Sequence, residues 1–343
     1  MFGIWNCRAV LRSNEKKGWK IMPTYDLVSL GELLIDFTPL GVSANGNPIF
    51  ERNPGGGPAN MACAAAKLGA KVAFAGKVGN DMFGTALKKF LGEQGVDTQA
   101  LLLSDHHKTT LAFVQLDENG DRSFSFYRKN GADTMIEFSE LPASVLDTKY
   151  FFCSSVLMAE GTSRKASFDA LEAARAHGNT VVFDPNLRFN LWESWEELKA
   201  CVLRAIFHAD IAKLAEDELT FLYETEDIDV AAKLCMDSCP HCKALLVTRG
   251  AKGCIAFVNG KRYEQGAYPI KAVDTTGAGD SFTGGFVAAL LQTGKAIEDC
   301  TEEEVRYLLR YANAVGSLTA SRKGSICALP TPEEVEKALK EQW

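Results

Sequence analysis

The chain has 343 residues, 46% of them hydrophobic and 24% charged, with a formal net charge of −7. This size supports one large α/β domain, or one domain with a small appendage, and the acidic balance argues against a nucleic-acid partner, because phosphate backbones need a basic surface. No apolar run approaches the roughly 20 residues needed to span a bilayer, so no membrane partner is expected.

The first 21 residues set Arg8, Arg12, Lys16, Lys17 and Lys20 against one acid, Glu15. They lack the apolar core of a signal peptide. A short basic transit peptide and an upstream extension with Met22 as the true start both fit, and the folded domain is expected over 22–343. The ten cysteines are scattered through apolar segments. Cys63, Cys153, Cys201 and Cys254 sit among Ala, Phe, Leu and Val, the pattern of buried thiols in a reducing cytoplasm.

The first predicted strand covers 26–30 and ends in Gly31-Glu32-Leu33-Leu34-Ile35-Asp36. Asp36 stands where the chain leaves the sheet, and a carboxylate there can take two sugar hydroxyl protons, although a solvated turn residue would look the same. Residues 37–53 hold Pro, Gly and Asn without a helical period. Pro54-Gly55-Gly56-Gly57-Pro58-Ala59-Asn60 then opens a helix over 59–68, with Pro58 suited to its first position and Gly69 to its end. Three glycines cost backbone entropy, so either a close backbone approach or a tight hinge is needed there. Asn60, one turn in, donates and accepts hydrogen bonds, which suits a polyol.

A strand over 72–75 and a helix over 84–93 follow. Segments 111–116 and 122–127 flank Asn119-Gly120, a strong hairpin turn signal. Phe124 and Phe126 alternate with Ser123 and Ser125, which makes one face of that arm greasy. Together, 37–53 and 109–130 predict a small β lid whose greasy face is buried against the domain or a second copy; a homodimer through the lid is expected.

Strands over 150–154, 180–183, 210–213, 244–248 and 254–258 alternate with helices over 164–176, 195–206, 217–223 and 230–235; helices over 280–291 and 303–321 close the chain. The repeated β-α-β order predicts an α/β fold with a doubly wound, mostly parallel sheet between helices. Ligands then bind off the carboxyl ends of the strands. Arg188, in Asp184-Pro185-Asn186-Leu187-Arg188, carries a cation to that edge. Thr248-Arg249-Gly250-Ala251-Lys252-Gly253 adds glycine and two cations suited to nucleotide phosphates. Cys239-Pro240-His241-Cys242 follows a helix, the wrong end for a redox thiol. Zinc would need a ligand beyond that segment even with Cys235.

The most informative run is Asp274-Thr275-Thr276-Gly277-Ala278-Gly279-Asp280, placed at the start of an apolar helix. Bare amides at a helix N-terminus cradle phosphate, or the charge that builds on a transferring group. Asp280 would repel such an anion. Its presence makes sense if it takes a proton from a hydroxyl attacking that phosphate. The loop is not a P-loop, because the Gly-Lys pairs here are followed by Val, Arg and Ala. Nor is it a dinucleotide fingerprint, because Phe282 stands at the third glycine position.

The 274–280 run resembles the C-terminal signature of the PfkB (ribokinase-like) carbohydrate kinase family. Gly55-Gly56-Gly57-Pro58-Ala59-Asn60, running on through Gly79-Asn80-Asp81-Met82-Phe83-Gly84, resembles its N-terminal signature. The likeness covers 25–340; Phe126-Tyr127-Arg128, Ala132-Asp133 and the 184–188 run look most like the fructokinase branch. The resemblance implies a ribokinase-like fold and ATP-dependent phosphorylation of a sugar's primary hydroxyl, D-fructose in that branch. Asp280 would be the base, and the amides of Gly277, Ala278 and Gly279 the anion hole. Asp36, Gly56, Gly57, Asn60, Arg128 and Arg188 would hold the sugar. Lys213, Glu216, Thr248, Gly250, Lys252, Gly253 and Asn313 would serve the nucleotide. Asp274 and Thr276, with carbonyls near Thr319, Arg322 and Gly324, would hold K⁺, and Mg²⁺ would arrive with ATP.

Two departures from the family pattern stand out. Many members carry Asn-x-x-Glu near the magnesium–phosphate site, where this chain has Lys213-Leu214-Ala215-Glu216, and a lysine there can bind phosphate directly. Ala328 replaces a more usual small polar residue near the monovalent ion. Two rival readings remain. Arg128 and Arg188 would equally clamp the carboxylate of a sugar acid such as 2-keto-3-deoxygluconate. A catalytically dead binding subunit is the other, and it should have lost Asp280 or the glycines.

Overall fold

The computed structural model describes residues 23–116 and 122–341; the basic stretch 1–21 and the Asn119-Gly120 turn lie outside them. β1 (Tyr25–Leu30) gives way to β2 (Leu34–Val42) and β3 (Pro48–Gly55), and α1 (Gly57–Lys67) returns the chain to β4 (Val72–Gly79). α2 (Met82–Glu93) and β5 (Leu101–Ser104) precede the pair β6 (Leu111–Leu116) and β7 (Arg122–Tyr127). The β-α alternation then runs through β8 (Thr148–Ser154), α3 (Ser163–His177), β9 (Thr180–Asp184), α4 (Trp195–Ile206) and β10 (Ile211–Ala215). α5 (Glu216–Tyr223), α6 (Ile228–Ser238), β11 (Ala244–Thr248), β12 (Cys254–Val258) and β13 (Lys261–Gln265) follow, and α7 (Ala278–Thr293), α8 (Glu302–Ala320) and α9 (Pro332–Lys340) end the described chain. Every predicted strand and helix occurs, with shifted ends. The sequence reading missed β5, β13 and α9. β5 has four residues, and β13 carries Lys, Arg, Glu and Gln around one buried Tyr263, so neither shows an apolar run.

The main sheet has nine strands in the order β13-β12-β11-β10-β9-β8-β1-β4-β5. Its pairs are parallel except β11–β12 and β12–β13. Both faces are covered, so the inner strands are apolar throughout and their residues alternate between two cores. Tyr150 and Phe152 of β8 point into the core under α1, α7 and α8, whereas Phe151 and Cys153 point into the core under α3 to α6. From β1 the chain winds outward to β4 on one side and later to β8 on the other. Such a reversal of strand order opens a crevice at the carboxyl ends. Among the described residues no helix is long and apolar enough to cross a membrane.

The second sheet, β3-β2-β6-β7, stands over that crevice. Phe37, Phe113, Phe50 and Tyr127 form an aromatic chain on one face, with Phe37 and Phe113 stacked at 4.9 Å between centroids. Asp36, Thr38, Asn53 and Val114 line a cavity on the other face, and Phe126 lines a neighbouring one. The face of β7 that bears Phe126 therefore turns inward, over the cavity, and the outward apolar surface comes instead from the other face of the sheet.

α1 and α7 lie close together. Ala59, Met61, Ala62, Cys63, Ala64 and Ala65 of α1 are all at most 1% exposed. A Cβ on Gly284 of α7 would meet the Met61 carbonyl oxygen at 2.7 Å and Ala64 Cβ at 2.8 Å. The two helix N-termini meet as a result. We predict that Gly284→Val, which forces these backbones apart, costs about 1–3 kcal/mol, measured as a lowered midpoint in denaturant unfolding.

Candidate active site

A cavity of about 400 Å³ lies off the ends of β1, β9 and β10, beneath the second sheet. The start of α7 supplies one wall. Gly277, the N-cap, sits at φ 75°, a left-handed conformation that favours glycine. The first amides of α7 have no carbonyl one turn earlier within the helix. Gly277 and Gly279 line the cavity. Ala278 turns its N–H to the Thr275 carbonyl at 3.2 Å, so of the three residues expected to form an anion hole, Gly277 and Gly279 face the cavity and the Ala278 amide has another partner. Asp280, half-buried, stands on the same wall.

α1 supplies the facing wall. Asn60 donates through Nδ2 to Asp280 Oδ2 at 2.8 Å, and its own Oδ1 is buried without a partner among the described residues. A side chain on Gly57 would run into Asn186 and come within 3.2 Å of Asp280 Oδ1. This close approach explains the glycine there. Asn186 itself is held at φ 48°, uncommon for a residue with a Cβ.

Charge is concentrated beneath Asp280. Lys213 is buried, pairs with Asp184 at 3.1 Å, and lies 3.1 Å from where a Gly279 Cβ would stand. Glu218 is fixed nearby by the amides of Leu187 (2.7 Å) and Ala215 (2.8 Å). Burial alone would lower the pKa of Lys213, but Asp184, Glu218 and Asp280 together raise it above its ordinary value. The ammonium therefore stays charged. Desolvation raises the Asp280 carboxyl above the usual range, against the Asn60 hydrogen bond and the cations Lys213 and Arg188, which lower it.

The predicted sugar residues separate into two groups. Asp36, Gly56, Gly57, Asn60 and Arg188 line the cavity. Arg128 does not: it is 3% exposed, paired with Asp133 at 2.7 Å and bonded to the Val156 carbonyl at 3.1 Å. Lys213, expected with the nucleotide, belongs to the Asp280 cavity. Sequence reasoning overlooked Glu32, Asp184, Asn186 and Glu218. A charged or amide residue directly after an apolar strand, as Asp184 ends β9, was the available signal.

A second cavity, of about 580 Å³, flanks the ends of β10 and β11 and is lined by Glu216, Thr248, Arg249 and Gly250. Glu216 faces Lys252 at 3.6 Å and Arg249 at 3.8 Å. Gly253 follows at the start of β12. Asn313 does not line this cavity; it is buried on α8 with Nδ2 on the Leu309 carbonyl (2.9 Å) and on Sγ of Cys254 (3.1 Å), the residue paired with Thr248 across the strands. A smaller space of about 180 Å³ joins the second sheet to Asp274, Thr276 and Gly324. Asp274 accepts the amides of Thr276 (2.9 Å) and Gly324 (3.0 Å). The Thr319 hydroxyl donates to the Val315 carbonyl at 2.8 Å, the Thr319 carbonyl accepts the Arg322 amide at 3.2 Å, and the Arg322 guanidinium is paired with Glu334. Cys239 and Cys242 bond to backbone carbonyls at the opposite edge of the sheet, and no metal-binding group of three or more His, Cys, Asp or Glu occurs among the described residues.

The chain belongs to the pfkB family of carbohydrate kinases, whose profile matches residues 25–332, and it has the ribokinase-like fold. It is 40% identical over 319 residues to "Probable fructokinase-3" of Arabidopsis thaliana, covering 92% of each chain. Its fold is similar to that of a Xylella fastidiosa fructokinase with bound ATP, at TM-score 0.85 and 32% identity, over 92% of this chain and 98% of the other. A double-mutant fructokinase from Vibrio cholerae O395 bound to fructose, ADP and a potassium ion matches at TM-score 0.82 and 32% identity, over 94% of this chain and 100% of the other.

Asn60→Ala removes the hydrogen bond that favours ionised Asp280. The Asp280 pKa then rises, and a base is lost as pH falls through it, so the acid limb of turnover should move to higher pH in a pH–rate profile.

Proposed function

We propose that the protein transfers the γ-phosphoryl group of ATP to the primary hydroxyl of D-fructose, giving fructose 6-phosphate. The observation that carries this is Asp280 on the cavity wall beside Gly277 and Gly279. The fructokinase relatives, among them structures with ATP and with fructose and ADP, support the same substrates. The active unit is one domain over 22–343 with the second sheet as its lid. Nine free cysteines among the described residues suit a reducing compartment such as the cytoplasm.

Asp280 takes the proton as the hydroxyl oxygen attacks phosphorus, and Gly277 and Gly279 donate to the charge on the transferring group. Lys213, held by Asp184 and Glu218, adds a fixed cation at that point. Asp36, Gly56, Gly57, Asn60 and Arg188 orient the sugar. Asn60 offers its unpartnered Oδ1 to a sugar hydroxyl. Glu216, Thr248, Gly250, Lys252 and Gly253 receive the nucleotide. Asp274, Thr276 and the nearby carbonyls form a site with one carboxylate, which suits a monovalent ion such as K⁺. Glu216 is the carboxylate placed to meet Mg²⁺, which would offset phosphate charge when ATP binds.

A neutral sugar fits better than a sugar acid. Arg128 does not line the cavity and pairs with Asp133, its Nη1 being buried without a partner among the described residues, and Glu32, Asp36 and Asp280 face the cavity against Arg188 and Lys213. Coupled ADP release across fructose, ribose, glucose, adenosine and 2-keto-3-deoxygluconate tests this, and turnover of the sugar acid alone would overturn it. Asp280→Asn should lower kcat roughly a thousandfold while fructose still binds; near-normal turnover would remove Asp280 from the role.

We also propose that the outward face of the second sheet joins a second copy of the chain. Val42 and Tyr127 are each 69% exposed there, with Leu40 and Phe50 beside them. Light scattering should report a dimer, and Phe50→Glu with Tyr127→Lys a monomer; a monomeric wild type would refute the contact.

A further inference from the structure

Glu32 is a carboxylate inside the cavity that the proposed reaction leaves without a task. It follows β1 at the point where strand order reverses, is 3% exposed, and lines the same cavity as Asn60 and Asp280. Its Oε1 accepts the Gly57 amide at 2.9 Å. Its main-chain carbonyl lies directly behind Gly56, where a Cβ would strike it. Glu32 therefore holds Gly57 by a hydrogen bond and leaves no room for a side chain on Gly56, in the turn that faces Asp280. Among the described residues its Oε2 receives only the Ser154 hydroxyl, at a long 3.4 Å. A buried carboxylate offers about four acceptor positions, and an unfilled one is costly.

We propose that Glu32 is a sugar-binding and positioning residue, whose Oε1 fixes the Gly56–Gly57 turn and whose Oε2 accepts a hydroxyl of the bound sugar. This rests on the sugar-kinase reading of the cavity and adds a recognition group to it. The acceptor pattern matches a polyol and disfavours a carboxylate-bearing substrate at the same spot. It also explains why an acid is tolerated on a wall shared with phosphate chemistry, since its charge is directed to a donor rather than to the anion hole.

The surroundings of Glu32 predict a second consequence. Desolvation pushes its carboxyl up to about 7, offset in part by Arg128 and the Gly57 amide, while Asp133 acts the other way. Cys153 lies behind it on β8, and Arg188, Lys213 and Asp280 line the cavity with it. A sugar hydroxyl donating to Oε2 favours the ionised form, so binding near neutral pH releases a proton. Sugar affinity then rises as pH rises through about 7 and falls below it.

The test combines kinetics with calorimetry on the full chain, with D-fructose as the probe. Glu32→Leu should raise the fructose KM by about 10- to 100-fold, the range for losing a hydrogen bond to a charged group, with a much smaller change in kcat. Glu32→Gln keeps an acceptor for the Gly57 amide and should recover part of that loss. Titration at pH 7 in buffers of different ionisation heat should show proton release with wild type and with Asp280→Asn, and none with Glu32→Gln. Unchanged KM in Glu32→Leu, or release that persists in Glu32→Gln, would overturn the assignment. A wild-type protein that phosphorylates no sugar would instead defeat the kinase reading beneath it.

Discussion

The 2.8 Å hydrogen bond between Asn60 and Asp280 is the contact on which the site depends. A carboxylate removed from water costs free energy and tends to take up a proton. Asp280 must stay ionised for the role proposed for it, yet cavity walls and a helix start surround it. Asn60 on one side and the Lys213 ammonium beneath oppose the desolvation. Those groups come from α1 and β10, far apart in sequence. The mostly parallel sheet, with both helices packed on one face, brings them within reach of each other.

The same constraint orders the charges around it. Lys213 would lose its proton if buried alone, so Asp184 and Glu218 must accompany it, and two backbone amides hold Glu218 in turn. One cation thus draws in three carboxylates. Lys213 and Ala215, two residues apart on β10, border the cavity of Asp280 and that of Glu216 respectively. A single strand end therefore separates the spaces proposed for the acceptor and the nucleotide.

Much of this was legible in the chain. Periodicity located every helix of the β-α alternation, and the 274–280 run stood out through its pairing of glycines with a carboxylate, which lie together on the cavity wall. The lid was legible as a sheet, but its facing was not. Alternation identifies two faces without saying which one meets solvent, and Phe126 turned inward. Arg128 was expected to hold the sugar because Phe126-Tyr127-Arg128 and Ala132-Asp133 resemble the fructokinase branch; the motif contains both residues without showing that Asp133, five residues on, pairs with the arginine. Glu32 sat in plain view after β1, but a carboxylate at a strand end reads equally as a solvated turn. Only its burial and its grip on Gly57 separate the two. Asn313 similarly spends its amide on the helix interior and Cys254.

The contact at Gly284 has a bearing on how this architecture diversifies. Where α7 meets α1 no room exists for even one added carbon, so the proton-accepting half of the cavity is closed to drift in sequence. The opposite half is borrowed from a thin sheet, which brings Asp36 and Phe126 to the cavity. New acceptor molecules can be recruited by rewriting that roof, while the chemistry beneath it is inherited intact.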